Sequence, residues 1–294
     1  MPTTLGRDDL IASLFSLARF DRDLRPRVPF EERIANAAAA GFAAVGAMAN
    51  DYLAVRATGM GDDDIAAVLD HHGMLIGELD DCPIWLGDHD PTPEHERLED
   101  TFFHLAERFG PVHHAVVPLG FDLQPLPPAD LLAERCAHLA ERAAAADMLL
   151  ALEFFPWSPV GDAAAAWAVA RSTANQACGI NVDLWHHHTG ADDPDVLRSV
   201  PGTRVHGVHL TDGEPDLTEP DPRRRTMSQR RVPGEGVFPV EETVRLLDAL
   251  GVDVPYTVEV VSLPHRHLSP AEFAVALYDA SRAVLDRARG SASA

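Results

Sequence analysis

The sequence predicts a (β/α)8 barrel, and three observations predict it. Short apolar runs of strand length alternate with helical segments about eight times along the chain. The runs are continuous rather than alternating, as strands buried on both faces of a parallel sheet require. The length of 294 residues, 46% of them hydrophobic, suits one barrel of roughly 250 residues plus insertions. An open doubly wound sheet is the rival. It would carry a glycine-rich turn after its first strand, and the chain has none there.

Each element follows from its local pattern. Leu10–Leu17 is apolar and strand-like. Pro29-Phe30-Glu31-Glu32 opens a helix that Gly41 closes, and Phe42–Gly46 is the second strand. Asp62-Asp63-Asp64 places negative charge at a helix start, where the dipole favours it. That helix ends at His72-Gly73, and Met74–Leu79 follows as a strand. Pro93–Phe109, Pro128–Ala146, Asp162–Ala174 and Pro194–Val200 read as helices alternating with strands Val112–Pro118, Met148–Phe154, Ile180–Leu184 and Arg204–Leu210. Helix Val240–Leu250, strand Tyr256–Val261 and helix Pro270–Arg287 complete the series. The barrel spans about residues 10–287 of a single domain covering 1–294, with a frayed tail at 288–294. The segment Gly213–Gly236 reads as a long barrel loop.

Composition excludes several functions. A formal net charge of −22 disfavours nucleic acid and anionic membranes as partners. No 18-residue apolar stretch and no signal-like N-terminus occur, so a cytoplasmic protein is expected. Cys82, Cys136 and Cys178 are odd in number and far apart, which suits packed thiols better than a metal or redox pair. All 24 basic residues are Arg. Without lysine there is no Schiff base, no pyridoxal phosphate anchor and no phosphate-loop amine.

Four apolar runs end on metal-ligand residue types: Ala-Leu-Glu153, Asn-Val-Asp183, Gly-Val-His209 and Thr-Val-Glu259. Each alone has a structural reading: an ion pair for either Glu, a helix cap for Asp183, a packed imidazole for His209. They fall, however, on the expected fifth to eighth strands, whose C-terminal ends form the catalytic face of such a barrel. Three carboxylates and one imidazole suit a hard or borderline divalent ion. Glu78 ends the third strand and is a candidate pocket wall. Asp212 and His206 are candidates for the shell behind the ligands. Trp157 and Trp185 follow strand ends and could wall a pocket, whereas His113-His114 start a strand and are placed at the opposite end.

With those motifs in view, the chain resembles the sugar-phosphate isomerase/epimerase family of xylose-isomerase-like barrels, which includes ketose 3-epimerases, hydroxypyruvate isomerases and inosose dehydratases. The likeness extends from Leu10 to about Arg287. It rests on Glu153, on Asp183-Leu-Trp-His186, on His209-Leu-Thr-Asp212, on Arg231-Val-Pro-Gly-Glu-Gly236 and on Glu259. The resemblance implies Glu153, Asp183, His209 and Glu259 as ligands of one divalent ion, manganese first, with magnesium, cobalt or zinc as alternatives. It implies substrate contacts from His186 and Arg231, with Trp185 and Glu78 as further wall candidates, and a dimer or tetramer. His187 and His188 extend the motif beyond the family pattern and read as loop residues or as residues behind the ligands, rather than as extra ligands.

The implied activity is isomerisation or epimerisation of a sugar, sugar acid or cyclitol-like small molecule. Glu153 and Glu259 would pass a proton next to a carbonyl through a metal-stabilised enediolate. A dehydratase or other lyase on the same site is the alternative, and a small-molecule-binding protein without catalysis is the second. A phosphodiesterase would need more His and carboxylate ligands and a surface less acidic than this one.

Overall fold

In the computed structural model, which describes residues 5–19, 26–82, 91–121, 126–216, 218–262 and 264–290, the strands close on themselves. They are β1 (Leu10–Ser13), β2 (Ala44–Met48), β3 (Leu75–Asp80), β4 (His114–Pro118), β5 (Leu149–Glu153), β6 (Cys178–Asp183), β7 (Val205–Leu210) and β8 (Tyr256–Val258). Each pairs in parallel with its sequence neighbours, and β1 meets both β2 (Ile11 opposite Ala44) and β8 (Leu10 opposite Tyr256). The expected (β/α)8 barrel is therefore the observed one.

The helices are α1 (Leu14–Ala18), α2 (Phe30–Ala40), α3 (Ala49–Ala57), α4 (Asp62–His72), α5 (Pro93–Phe109), α6 (Ala129–Ala145), α7 (Ala163–Ser172), α8 (Leu184–Thr189), α9 (Pro194–Arg198), α10 (Pro222–Thr226), α11 (Val240–Ala249) and α12 (Pro270–Gly290). The main apolar core lies between the strands and this outer ring, as with Leu10, Val45, Ile76, Leu150 and Val208 against Ile34, Phe102, Leu139 and Leu277. Among the described residues, no helix is long and apolar enough to cross a membrane. The three cysteines are buried, free thiols.

Several boundaries differ from the sequence reading. The run Leu10–Leu17 is strand only to Ser13 and then turns into α1, because an apolar run fits a buried helix as well as a strand. The helix α3 has no side-chain cap at its start and a mixed face, so nothing in the pattern announces it. The strand of Ile180–Leu184 stops at Asp183, which caps α8. The loop 213–236 has structure of its own: Asp212–Gly213 pairs antiparallel with Arg230–Arg231, and α10 lies between them. The last helix continues to Gly290, past the expected start of fraying, and residues 291–294 lie outside the described part.

Two glycines make room inside the barrel. A side chain at Gly46 of β2 would come within 2.7 Å of the Glu78 carboxylate, and one at Gly207 of β7 within 2.6 Å of His114 Nε2. Polar groups thus occupy interior space that bulky apolar residues would otherwise fill.

Candidate metal centre and pocket

The ends of β5 to β8 bring Glu153, Asp183, His209 and Glu259 together. Registers Glu153 opposite Asn181, Asp183 opposite His209, and His209 opposite Thr257 set the spacing. Glu259 stands one residue beyond β8 and is tied to β7 by its backbone N–H to Leu210 O. All four residues are at most 8% exposed.

His209 is the centre of the cluster. Its Nδ1 lies 3.3 Å from Glu153 Oε1, 3.6 Å from Asp183 Oδ2 and 3.4 Å from Glu259 Oε2. That nitrogen is buried and lacks a well-aligned hydrogen-bond partner. Ligands about 2.0–2.2 Å from one ion stand about 3.0–3.6 Å from each other. Asp183, His209 and Glu259 bring one donor atom each within 4.8 Å of one another, and Glu153 does so with Asp183 and His186; with the donor types and the His209 nitrogen, this fits a divalent ion.

The other face of the His209 ring explains its orientation. Nε2 lies 3.2 Å from Glu78 Oε2, which also accepts from Thr257 Oγ1 at 2.6 Å and stands 2.8 Å from His114 Nε2. A carboxylate behind a ligating imidazole fixes its tautomer and aim. Glu78 is thus not a wall of the pocket. It is fully buried, and the strand continues to Asp80, whose side chain reaches the pocket instead. Side chains two apart in a strand share a face, so Asp80 lies above Glu78 on the inner side.

His114, placed by its sequence position at the far end, belongs to this interior group. Barrel strands are staggered, and the register sets Glu78 opposite His114 although one lies mid-strand and the other at a strand start.

Asp183 serves two tasks. Its Oδ1 accepts from the backbone N–H groups of Trp185 and His186, capping α8, while Oδ2 faces the cluster. The cap aims His186, whose Nε2 lies 3.6 Å from Asp183 Oδ2 and whose buried Nδ1 has no partner among the described residues.

The arginine brought to the site is Arg230, not Arg231. Its Nη2 donates to Asp183 Oδ2 at 2.8 Å and to Thr226 Oγ1 at 3.0 Å, and its Nη1 lies 3.3 Å from Glu259 Oε2. Arg231 points the other way, 3.5 Å from Glu214. Consecutive residues of a strand face opposite sides, so the Arg-Arg pair can put only one guanidinium inward.

Three other expected residues lie elsewhere. Asp212 accepts from the N–H groups of Gly213, Gly234, Gly236 and Phe238 and pins the loop rather than a ligand. His206 is the bulged residue of β7, unpaired in the ladder, and its Nδ1 reaches Leu150 O near the start of β5, away from the cluster. Trp185 is buried against Phe238 and lines a neighbouring cavity with Trp157 and Arg225. The aromatic rings that reach the main pocket are Phe15, Phe121 and Phe155, which sequence reasoning did not single out.

The environments push the two glutamates apart. Burial raises Glu153 to about 7, aided by Asp183 and Glu259 and only partly offset by His209. Burial would raise Glu259 too, but His209 and Arg230 outweigh it and hold its carboxyl below the usual range. Asp183 is likewise held low by Arg230, His186 and His209 against its burial. Burial lowers His186 to about 4 and leaves it neutral. His209 moves well above its ordinary value, since Glu78 and Glu259 overcome burial. Burial and Glu259 raise Asp80 well above the carboxylate range.

Comparison with known proteins follows the same lines. The family model described as xylose isomerase-like TIM barrel matches residues 34–282. A search of curated proteins gives no match. Among solved structures, the IolI protein with a bound zinc atom superposes with a TM-score of 0.77 at 16% identity, covering 95% of this chain and 98% of that one. A xylose isomerase-like TIM barrel protein from Mycobacterium smegmatis in complex with magnesium gives 0.69 at 17% identity, covering 95% and 97%. The apo 3-keto-D-glucoside 4-epimerase YcjR from E. coli gives 0.65 at 16% identity, covering 94% and 98%. At these identities the structural likeness is one of fold.

Proposed function

Because the chain belongs to the xylose isomerase-like TIM barrel family, we propose that it is a metal-dependent isomerase or epimerase that moves a proton next to the carbonyl of a hydroxycarbonyl substrate. The observation that carries this reading is His209 Nδ1, orphaned among Glu153, Asp183 and Glu259 at 3.3–3.6 Å. Zinc in IolI and magnesium in the mycobacterial relative support a divalent ion here. When bound, such an ion supplies Lewis-acid polarisation of a carbonyl.

The chain's own residues supply the rest. Glu153, buried beside His209 and lining the pocket, is placed to accept and return a proton. Asn181 Nδ2 donates to its Oε1 at 2.9 Å and fixes the carboxylate plane. Glu259, held ionised, stands on the other side of His209 Nδ1 and can exchange a proton from the opposite face. Two carboxylates with divergent proton affinities are what acid–base work on one carbon needs. His186 stays neutral, and its unpartnered Nδ1 is free to bond a substrate oxygen. Arg230 keeps Asp183 and Glu259 charged and in place.

A β-elimination is the second reading, and Asp80 favours it. This residue lines the pocket and is driven towards the neutral acid, the form that protonates a leaving hydroxyl. One experiment tests both readings. The metal-loaded protein in D2O, offered a panel of hydroxyketones, should place deuterium α to the carbonyl. Loss of water identifies the lyase, and no exchange above a Glu259→Gln control overturns the proposal.

A further inference from the structure

Resting on the reading of the cluster as a proton-transfer centre, we propose that the substrate is an uncharged hydroxyketone bearing an apolar substituent of ring size, rather than a sugar phosphate or sugar acid. The cavity over the cluster, about 280 Å³, has two zones. Glu153, His186, Arg230 and Glu259 form a polar floor, and the rest of the lining is mostly apolar, interrupted by Asn50, Asp51, Asp80, Asp81 and Thr226.

The walls come from separate parts of the barrel. The helix α1 contributes Phe15, the end of β2 Met48, the segment after β4 Phe121, the residue pair beyond β5 Phe155, and the segment after α10 Met227. The Phe121 and Phe155 rings meet edge to face at 5.4 Å, and Phe155 meets His186 at 4.6 Å. An aromatic surface therefore runs from the wall down to the floor without a break. A substrate whose carbonyl lies at the floor must lay its next substituent on that surface. Burying a phenyl-sized group there is worth about ten- to a hundredfold in binding.

Charge points the same way. Asp80 and Asp81 lie on the lining, together with Asp51, whose carboxylate is held by Arg33 at 2.7 Å. Arg230, the one lining arginine among the described residues, is already engaged by Asp183 and Glu259. A phosphate or carboxylate on the substituent would meet no uncommitted cation among the described lining residues, and burial of such an anion without a partner is costly.

The test uses three probes that share the HO–CH2–CO– unit and differ only beyond it: 2-hydroxyacetophenone, dihydroxyacetone and dihydroxyacetone phosphate. Deuterium exchange at the hydroxymethyl carbon is followed by NMR with the full-length, Mn²⁺-loaded protein, above the Glu259→Gln background. The expected kcat/KM is at least tenfold higher for the phenyl ketone than for dihydroxyacetone, with the phosphate slowest. Exchange fastest with the phosphate overturns the substrate class and leaves the proton-transfer reading standing. No exchange with any probe removes both. Phe121→Ala should raise KM for the phenyl ketone about tenfold more than KM for dihydroxyacetone. Equal effects on the two overturn the aromatic wall.

Discussion

The two halves of the barrel do different work. The ends of β5 to β8 carry Glu153, Asp183, His209 and Glu259, of which Asp183, His209 and Glu259 stand close enough together to share an ion, as do Glu153 and Asp183 with His186. The ends of β1 to β4 carry Phe15, Met48, Asp80 and Phe121, which line the pocket. Beneath them the first half also reaches across the barrel: Glu78 of β3, backed by His114 of β4, meets His209 of β7. On the proposed reading, one half would supply the chemistry, and the other the shape of the pocket and the support behind His209. A mutation should therefore announce which half it struck.

The largest effects belong to the second half. Glu153→Gln and Glu259→Gln should each lower turnover by about 10²–10⁴-fold, the usual worth of a positioned acid or base. Steady-state exchange rates at saturating metal check this. Retention of most activity in either variant would break the assignment of chemistry to this half.

Glu78→Gln probes the support from the first half. The amide keeps the volume but loses the charge that faces His209 Nε2 and His114 Nε2. Removing a partner behind a metal-bound imidazole typically costs 10–100-fold in metal affinity. A competition titration with a fluorescent chelator should show that loss while the folded state persists. Unchanged affinity would reduce Glu78 to a packing residue.

Proton linkage separates the halves more gently. In the metal-free protein, burial would lower His209's proton affinity, but Glu78 and Glu259 raise it well above its ordinary value, which favours the protonated ring. An ion must displace that proton to reach Nδ1. Affinity should thus rise with pH, by about tenfold per unit for each proton expelled. Calorimetry in buffers of differing ionisation enthalpy counts the protons, and a release of none would contradict the assignment of Nδ1 as a ligand.

How much of this the sequence carried depended on where each residue sits relative to a strand end. The barrel, and the meeting of Glu153, Asp183, His209 and Glu259 at one end of it, were legible because a carboxylate or imidazole closing an apolar run stands out locally. Glu78 and His114 were misplaced because the stagger between strands, which sets Glu78 opposite His114, leaves no mark in either strand alone. Asp80 was missed because the strand runs one residue beyond Leu79, where its apolar run stops. Phe155 was missed because a phenylalanine after a strand reads equally well as core.

The Arg230–Arg231 pair gives the smallest expected effect and the finest test of the comparison. The family-like motif begins at Arg231, yet the hairpin pairs Arg231 with Asp212 and Arg230 with Gly213, sending only Arg230 to the carboxylates. Arg231→Ala removes a partly exposed contact to Glu214, and pairs of that kind are worth about 0–1 kcal/mol. Its thermal stability and kcat/KM should stay near the parent values. The same substitution at Arg230 leaves Asp183 and Glu259 buried without their guanidinium, and breaking a buried pair costs about 3–5 kcal/mol. Thermal unfolding of the two variants in metal-free buffer reads the difference directly. If Arg231→Ala were the more damaging of the two, the hairpin would present the opposite face to the site, and the motif's own choice of arginine would stand.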